Sequence, residues 1–338
     1  MQRSMLTRLS TALIIPAMVL LSSAAAAQDA TPEAATDRAT AAELEETLGP
    51  LPTPSEPWKI CAIEKTLINE HWQQMKQGYE DAAAEYGVEV EVQASRDEAD
   101  LTGQLAIAET MLQGDCDAFA VSPLSSSNLQ PFLDRAKEAG IPIINVDDAK
   151  VEADVFVGGD HREMGVMAAE YIAEQLPDGG QVAQIEGQAG SPAAQQRIDG
   201  FSTTVGEHDN LELVASQPGD WDRLKALDAA ANIMRGNPDV KAFYANNDTM
   251  ALGVAEAVAN AGKQGEIIVV GTDGVPDAIQ SVRDGNMSAT IASFPYEMGR
   301  TALVVAVRLL EGQDVPGTVV SQQELITADN VAEYFPES

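Results

Sequence analysis

The chain has 338 residues, 45% of them hydrophobic, and a formal net charge of −33. That length exceeds what one hydrophobic core usually serves, so more than one domain is expected. The charge excludes nucleic acid and anionic membrane surfaces as direct partners, because both are held by Lys and Arg.

Residues 1–27 read as a secretory signal peptide. Arg3 and Arg8 precede an apolar run from Leu9 to Leu21, and a small-residue stretch, Ser22 to Ala27, carries an Ala-x-Ala pattern. The run is shorter than the ~20 residues that span a bilayer. Cleavage would remove two positive charges and no acid, taking the net charge from −33 to −35. No Cys stands at the cleavage site, so no lipid anchor is expected. Residues 28–57 hold five prolines and many acids. They read as a mostly disordered acidic linker, with at most a short helix over Ala39–Leu48.

From Trp58 onward, strand and helix signals alternate. Lys59–Ile63, Val88–Gln93, Ala118–Val121 and Ile141–Val146 read as strands. Between them Glu70–Gly87, Asp97–Gly114 and Asn128–Gly140 read as helices. After Val155–Val157 the alternation starts again. Strands are expected at Gln181–Glu186, Leu211–Ser216, Lys241–Ala245, Ile267–Gly271 and Ser288–Ala292. Helices are expected at Glu163–Leu176, Ala193–Glu207, Arg223–Met234, Pro276–Arg283 and Tyr296–Leu310, with one between Lys241–Ala245 and Ile267–Gly271, and Val319–Leu325 as an extended tail. Continuous apolar strands separated by helices predict parallel sheets covered on both faces. The fold class is therefore α/β, with two doubly wound parallel-sheet halves.

In such sheets ligands bind at the carboxyl ends of the strands. The first strand runs on to Thr66–Trp72, with Asn69, His71 and Trp72. Later strand ends carry Ser122, then Asp147 and Asp148, then the 187–191 loop ahead of Gln195 and Arg197, then Asp220 to Asp222 with Trp221, and finally Asn247, Asp248 and Asp273. Carboxylates and amides recognise vicinal hydroxyls, and Trp72 and Trp221 offer flat faces to a sugar or polyol. Each residue also has an ordinary structural reading. Asp248 is expected to cap or support a turn, His71 to be either a solvated first-turn residue or a contact, and each Trp to be either core or ligand wall.

Cys61 and Cys116 form either a disulfide or two buried thiols. Two Cys and three scattered His, none at ligand spacing, predict no metal site. No cofactor or catalytic residue is expected: there is no GxSxG, GxGxxG, Walker or HExxH signature.

Several motifs carry a resemblance: TLINEHWQQMKQGYEDAA (66–83), SPLSSSNLQPFLDRAKEAGIPIINVD (122–147), GSPAAQQRIDGF (190–201), DWDRLKALDAAANIM (220–234), FYANNDTMALG (243–253) and VVGTDGVPDAI (269–279). In this order they resemble the periplasmic sugar-binding proteins of ABC transporters, type I, ribose-binding-protein-like. The resemblance implies an N-terminal lobe of 58–159 plus 294–321 and a C-terminal lobe of 160–293 plus 322–338. The chain would cross between lobes near Gly159, Ser293 and Gln322. It implies ligand contacts at Asn69, His71, Trp72, Ser122, Asp147, Asp148, Gln195, Trp221, Asn247, Asp273 and Ser293, while Arg197 would support structure. Asp148 and Gln195 stand where the family usually has Arg, so the cleft is expected to lack cations and to disfavour anionic ligands. A neutral sugar or sugar alcohol, delivered in the periplasm to a membrane permease by a monomeric receptor, is the resulting expectation. A ligand sensor and a binder of amine-bearing molecules are the alternatives.

Overall fold

The computed structural model describes residues 38–148 and 151–334. The expected signal peptide and the first part of the expected linker lie outside the described residues, as does the C-terminal end of the second lobe.

The chain opens with Arg38–Thr40 (β1) and Ala41–Leu48 (α1). It continues through Lys59–Glu64 (β2), Glu70–Tyr86 (α2), Glu89–Ala94 (β3), Leu101–Leu112 (α3), Ala118–Val121 (β4), Gln130–Glu138 (α4), Ile143–Val146 (β5) and Val155–Gly158 (β6). The second half comprises His161–Gln175 (α5), Gly180–Glu186 (β7), Pro192–Glu207 (α6), Leu211–Pro218 (β8), Arg223–Gly236 (α7), Val240–Ala245 (β9), Asp248–Asn260 (α8), Ile268–Asp273 (β10), Pro276–Arg283 (α9) and Ala289–Ala292 (β11). Pro295–Leu310 (α10), Thr318–Val320 (β12) and Glu324–Thr327 (β13) complete the regular elements.

The strands form two sheets. One is ordered β1-β12-β6-β5-β4-β2-β3, the other β13-β11-β10-β9-β7-β8. All pairs are parallel except β11 with β13. The inner strands are apolar because helices cover both faces; β4 and β5 are buried at every residue. The chain passes between sheets three times, between β6 and α5, between β11 and α10, and between β12 and β13. The extended tail expected at Val319–Leu325 is thus two strands, one in each sheet. Three crossings make a hinge of short extended segments.

Helix α10 returns to the first lobe and lies against α2 at backbone contact distance. A Cβ on Gly78 would stand 2.0 Å from the Tyr296 carbonyl oxygen, and one on Gly299 would stand 2.2 Å from that of Met75. Only glycine allows this approach at both positions. Cys61 of β2 and Cys116, just before β4, are joined in a disulfide with Cα atoms 5.7 Å apart. This settles the alternative left open by the sequence.

The acidic segment before Trp58 is corrected by the structure. Its described part is ordered onto the first lobe. β1 adds a parallel edge strand to β12, and Leu44 is buried with Leu48 and Leu51 packed on the same core. Thr40 and Glu43 form a reciprocal capping box at the start of α1. Three leucines and one capping box hold the segment where its acid and proline content suggested disorder. Leu44→Ala should cost about 2 kcal/mol or more locally. Amide hydrogen exchange over 38–48 is expected to accelerate at least about tenfold, with a much smaller change in the sheets.

Glu64, the last residue of β2, is buried, and neither carboxylate oxygen has a hydrogen-bond partner among the described residues. Burial holds its pKa well above the ordinary carboxylate value. A carboxylate raised in this way favours folding below its unfolded pKa, and that contribution is lost as pH rises through the folded one. Glu64→Gln removes the loss. The variant should melt above the parent at pH 8, and the gap should close on acidification towards pH 4.5.

Candidate functional site

The carboxyl edges of the two sheets face each other across a narrow cleft. Lys65, Asn69, His71, Trp72, Glu98 and Asp147 line it from the first lobe. Ala193, Arg197, Trp221, Asn247 and Asp273 line it from the second. The cavity they leave is only about 30 Å³, room for a water or two. The side chains therefore fill the cleft themselves, and a larger ligand enters by parting the lobes.

The backbone is forced at this edge. Among the described residues, five non-glycine residues have positive φ, and three of them line the cavity: Asp147 (72°), Trp221 (62°) and Asp273 (130°). L-residues adopt such angles at a cost of order 1–3 kcal/mol each. All three lie at the cleft between the lobes.

A ladder of charges links the lobes. Buried Lys65 pairs with Asp148 and lies 3.6 Å from Asp147. Burial opposes its charge, but Asp148 and Asp147 outweigh that and raise its pKa. His71 Nε2 is 3.4 Å from Asp147 Oδ1 and its Nδ1 is 3.5 Å from Asp273 Oδ1. These are ion-pair distances from a first-lobe helix to both lobes. Burial alone would lower the His71 pKa; Asp273 and Asp147 carry it instead from 6.5 to about 10. Asp147 is correspondingly held below the ordinary carboxylate range, burial notwithstanding, chiefly by the His71 imidazolium beside it. Arg197 Nη2 lies 3.5 Å from Asp273 Oδ1, and its Nη1 donates to the Asn246 carbonyl.

His161 ties the lobes a second time. Its Nδ1 is 3.2 Å from Arg197 Nη2, which can only donate, so Nδ1 accepts and Nε2 carries the proton. Nε2 lies 3.1 Å from the Asp147 carbonyl oxygen and 3.0 Å from Asp148 Oδ1.

The structure brings seven of the residues singled out from sequence to the cavity: Asn69, His71, Trp72, Asp147, Trp221, Asn247 and Asp273. Four stand elsewhere. Ser122 is buried and its carbonyl accepts from Gln104 Nε2 at 2.9 Å. Asp148 turns behind the wall towards Lys65 and His161. Ser293 lies in the hinge, its hydroxyl 3.4 Å from the Asp273 carbonyl oxygen. Gln195 is on the exposed face of α6, donating to Asp199 at 2.8 Å. Two residues of α-helix advance about 200°, so Gln195 and Arg197 cannot share a face, and packing turns Arg197 inward.

The expectation of a cleft without cations is corrected. Lys65, Arg197 and protonated His71 face Asp147, Asp273, Glu98 and, behind the wall, Asp148. Lys65 directly follows the first strand and Glu98 follows the second, so the strand-end rule that selected Asn69 reaches both. Asn247 rather than Asp248 caps α8, accepting from Met250 N at 3.0 Å. Asp248 instead supports the turn after β10, accepting from Gly274 N, Val275 N and Thr290 Oγ1 at 2.7–3.0 Å.

The lining is chemically specific. Trp72 and Trp221 supply apolar faces, and Asp147, Asp148 and Asp273 are each paired with Lys65, His71 or Arg197. This suits an uncharged polyhydroxy ring. A model of the periplasmic binding protein domain matches residues 62–314. The chain belongs to the periplasmic binding protein family. Among its relatives is the D-allose-binding periplasmic protein of Escherichia coli (strain K12), 43% identical over 74% of this chain and 83% of the relative. Another is a ribose import binding protein of Bacillus subtilis (strain 168), 34% identical over 78% and 85%. A solved periplasmic solute-binding protein from Actinobacillus succinogenes 130z, with bound D-allose, superimposes with a TM-score of 0.79 at 31% identity, covering 82% of this chain and 100% of that one. A Bacillus halodurans C-125 solute-binding protein with bound myo-inositol gives 0.75 at 29% identity, covering 83% and 98%. The type I periplasmic binding protein fold, two lobes on a three-strand hinge, is that of this chain.

The raised His71 pKa has a definite sign. A cation whose pKa is raised by folding contributes fully below its unfolded pKa, and the contribution disappears as pH rises through the folded value. Between pH 6.5 and 10 the parent should therefore lose more thermal stability than His71→Asn. Parallel melting curves across that window check this.

Proposed function

We propose that this protein is the periplasmic receptor of an ABC importer, capturing a neutral monosaccharide or sugar alcohol between its lobes and presenting the closed form to a membrane permease. One observation carries the proposal: a cleft walled by Trp72 and Trp221 whose buried carboxylates already have their own cations. An anionic ligand would meet Asp147 and Asp273, and an amine would find those carboxylates already occupied by His71, Lys65 and Arg197. A neutral polyol exchanges hydrogen bonds with the same groups without adding charge. The names of the relatives, which include allose and ribose binders, point the same way.

In this reading Asn69, His71, Trp72 and Asp147 hold the sugar from the first lobe, and Trp221, Asn247, Asp273 and Arg197 from the second. A ligand touching both lobes favours closure by the difference in its contacts with the closed and open forms. The groups bind and do not turn the sugar over, since each cleft acid is held by a partner rather than poised against a nucleophile.

Thermal shift with D-allose, D-ribose, myo-inositol, D-glucuronate and D-glucosamine tests this. A neutral ligand at a hundred times its Kd should stabilise the fold by about 2.7 kcal/mol. Trp72→Ala should weaken its binding at least about tenfold. Stabilisation by glucuronate or glucosamine alone would overturn the neutral-ligand reading.

A further inference from the structure

Glu98 belongs to none of the motifs that identified the cleft. It is half-buried in the turn between β3 and α3. That turn is braced on both sides: Asp97 Oδ1 accepts from Ala99 N at 3.0 Å, and Asp100 Oδ1 accepts from Gly103 N at 3.0 Å. The braced turn places Glu98 Oε1 3.1 Å from Trp72 Nε1 and 3.3 Å from Asn69 Nδ2. One oxygen thus accepts from two cavity-lining residues.

The chemistry of those two donors matters more than the count. Trp has a single polar atom, a donor. With that atom turned to Glu98, Trp72 presents only its ring, and Lys65 Nζ sits 5.0 Å from the ring centroid. Asn has a donor end and an acceptor end that its neighbours must orient. A carboxylate only accepts, so it draws Nδ2 and leaves Oδ1 as the atom available to a ligand. We propose that Glu98 is a positioning residue that sets the specificity of the cleft: it fixes Asn69 as an acceptor and Trp72 as a purely apolar wall, so the bound sugar must donate a hydroxyl at Asn69. The proposal rests on the sugar-capture reading for its ligand. Its geometric half concerns the protein alone.

Glu98→Gln in the full chain tests both halves. The amide has the same shape but can present N–H as well as C=O, so Asn69 is free to turn over. The first measurement needs no ligand. The chain has three Trp, whose indole N–H signals can be followed by ¹⁵N–¹H NMR and assigned with Trp72→Phe. The Trp72 signal should move upfield on loss of its carboxylate acceptor. Trp58, bonded to Glu311 at 2.6 Å, and Trp221, whose Nε1 has no hydrogen-bond partner among the described residues, should stay in place. Glu98→Asp should also move the Trp72 signal, and it replaces the amide variant should that fail to fold.

The second measurement uses monofluorinated D-alloses, in which fluorine replaces a donor with a weak acceptor. In the parent, fluorination at one position should raise Kd about tenfold or more through the lost donor. In Glu98→Gln that penalty should fall at least about threefold, with the penalties at other positions unchanged. An unmoved Trp72 signal overturns the positioning role. A uniform change across all fluorinated positions overturns the specificity role, since a general loosening would do the same. Absence of D-allose binding to the parent, with the Trp72 signal still moving, would fault the choice of sugar and uphold the placement by Glu98.

Discussion

Asp147 and Asp273 stand on opposite sheets, and the charges of the cleft are arranged about them. Two carboxylates brought together in a closed, poorly hydrated space repel strongly. His71 lies between them, drawn into the charged form by both. Lys65 and Arg197 compensate them from their own lobes, and His161 ties Arg197 to the Asp147–Asp148 corner. Asp147, Asp148 and Asp273 each meet a buried base, and that pairing weakens the field that a charged ligand would exploit.

This balance has a structural cost at the backbone. Asp147, Trp221 and Asp273 all sit at positive φ, where side chains of L-residues are strained. The first and last are the carboxylates of the ladder, and the second is an aromatic wall. Two well-packed sheets supply the rigidity that keeps three such residues in place. The close packing of α2 on α10 serves the same end, since α2 carries His71 and Trp72 and α10 emerges directly from the hinge.

Much of the site was legible at the ends of the predicted strands, because a parallel sheet gathers those ends at one edge whatever its detailed packing. Asn69, Asp147, Asn247 and Asp273 were found on that ground. Gln195 shows where position alone fails: it is two residues from Arg197, and helix geometry sends one inward and the other to solvent. Asp148 shows the same for a turn, as the positive φ of Asp147 swings its neighbour behind the wall. The segment before Trp58 misled through composition, since Leu44 and Leu48 on a short helix and Leu51 just beyond it are enough to dock a stretch that is otherwise acid and proline.

Alternation of apolar strands and helices, together with the polar residues following them, predicted from sequence alone two α/β halves whose strand ends suit a small hydroxylated ligand, and the resemblance of the motifs implied the two lobes and their hinge. Those signals are local, and periodicity and turn chemistry express them directly. Which charges neutralise which was decided by the tertiary structure. His71 meets Asp273, Lys65 meets Asp148 and Glu98 meets Trp72 across long stretches of chain, because closing the sheets places them within a few ångströms of one another, where a low dielectric makes pairing obligatory.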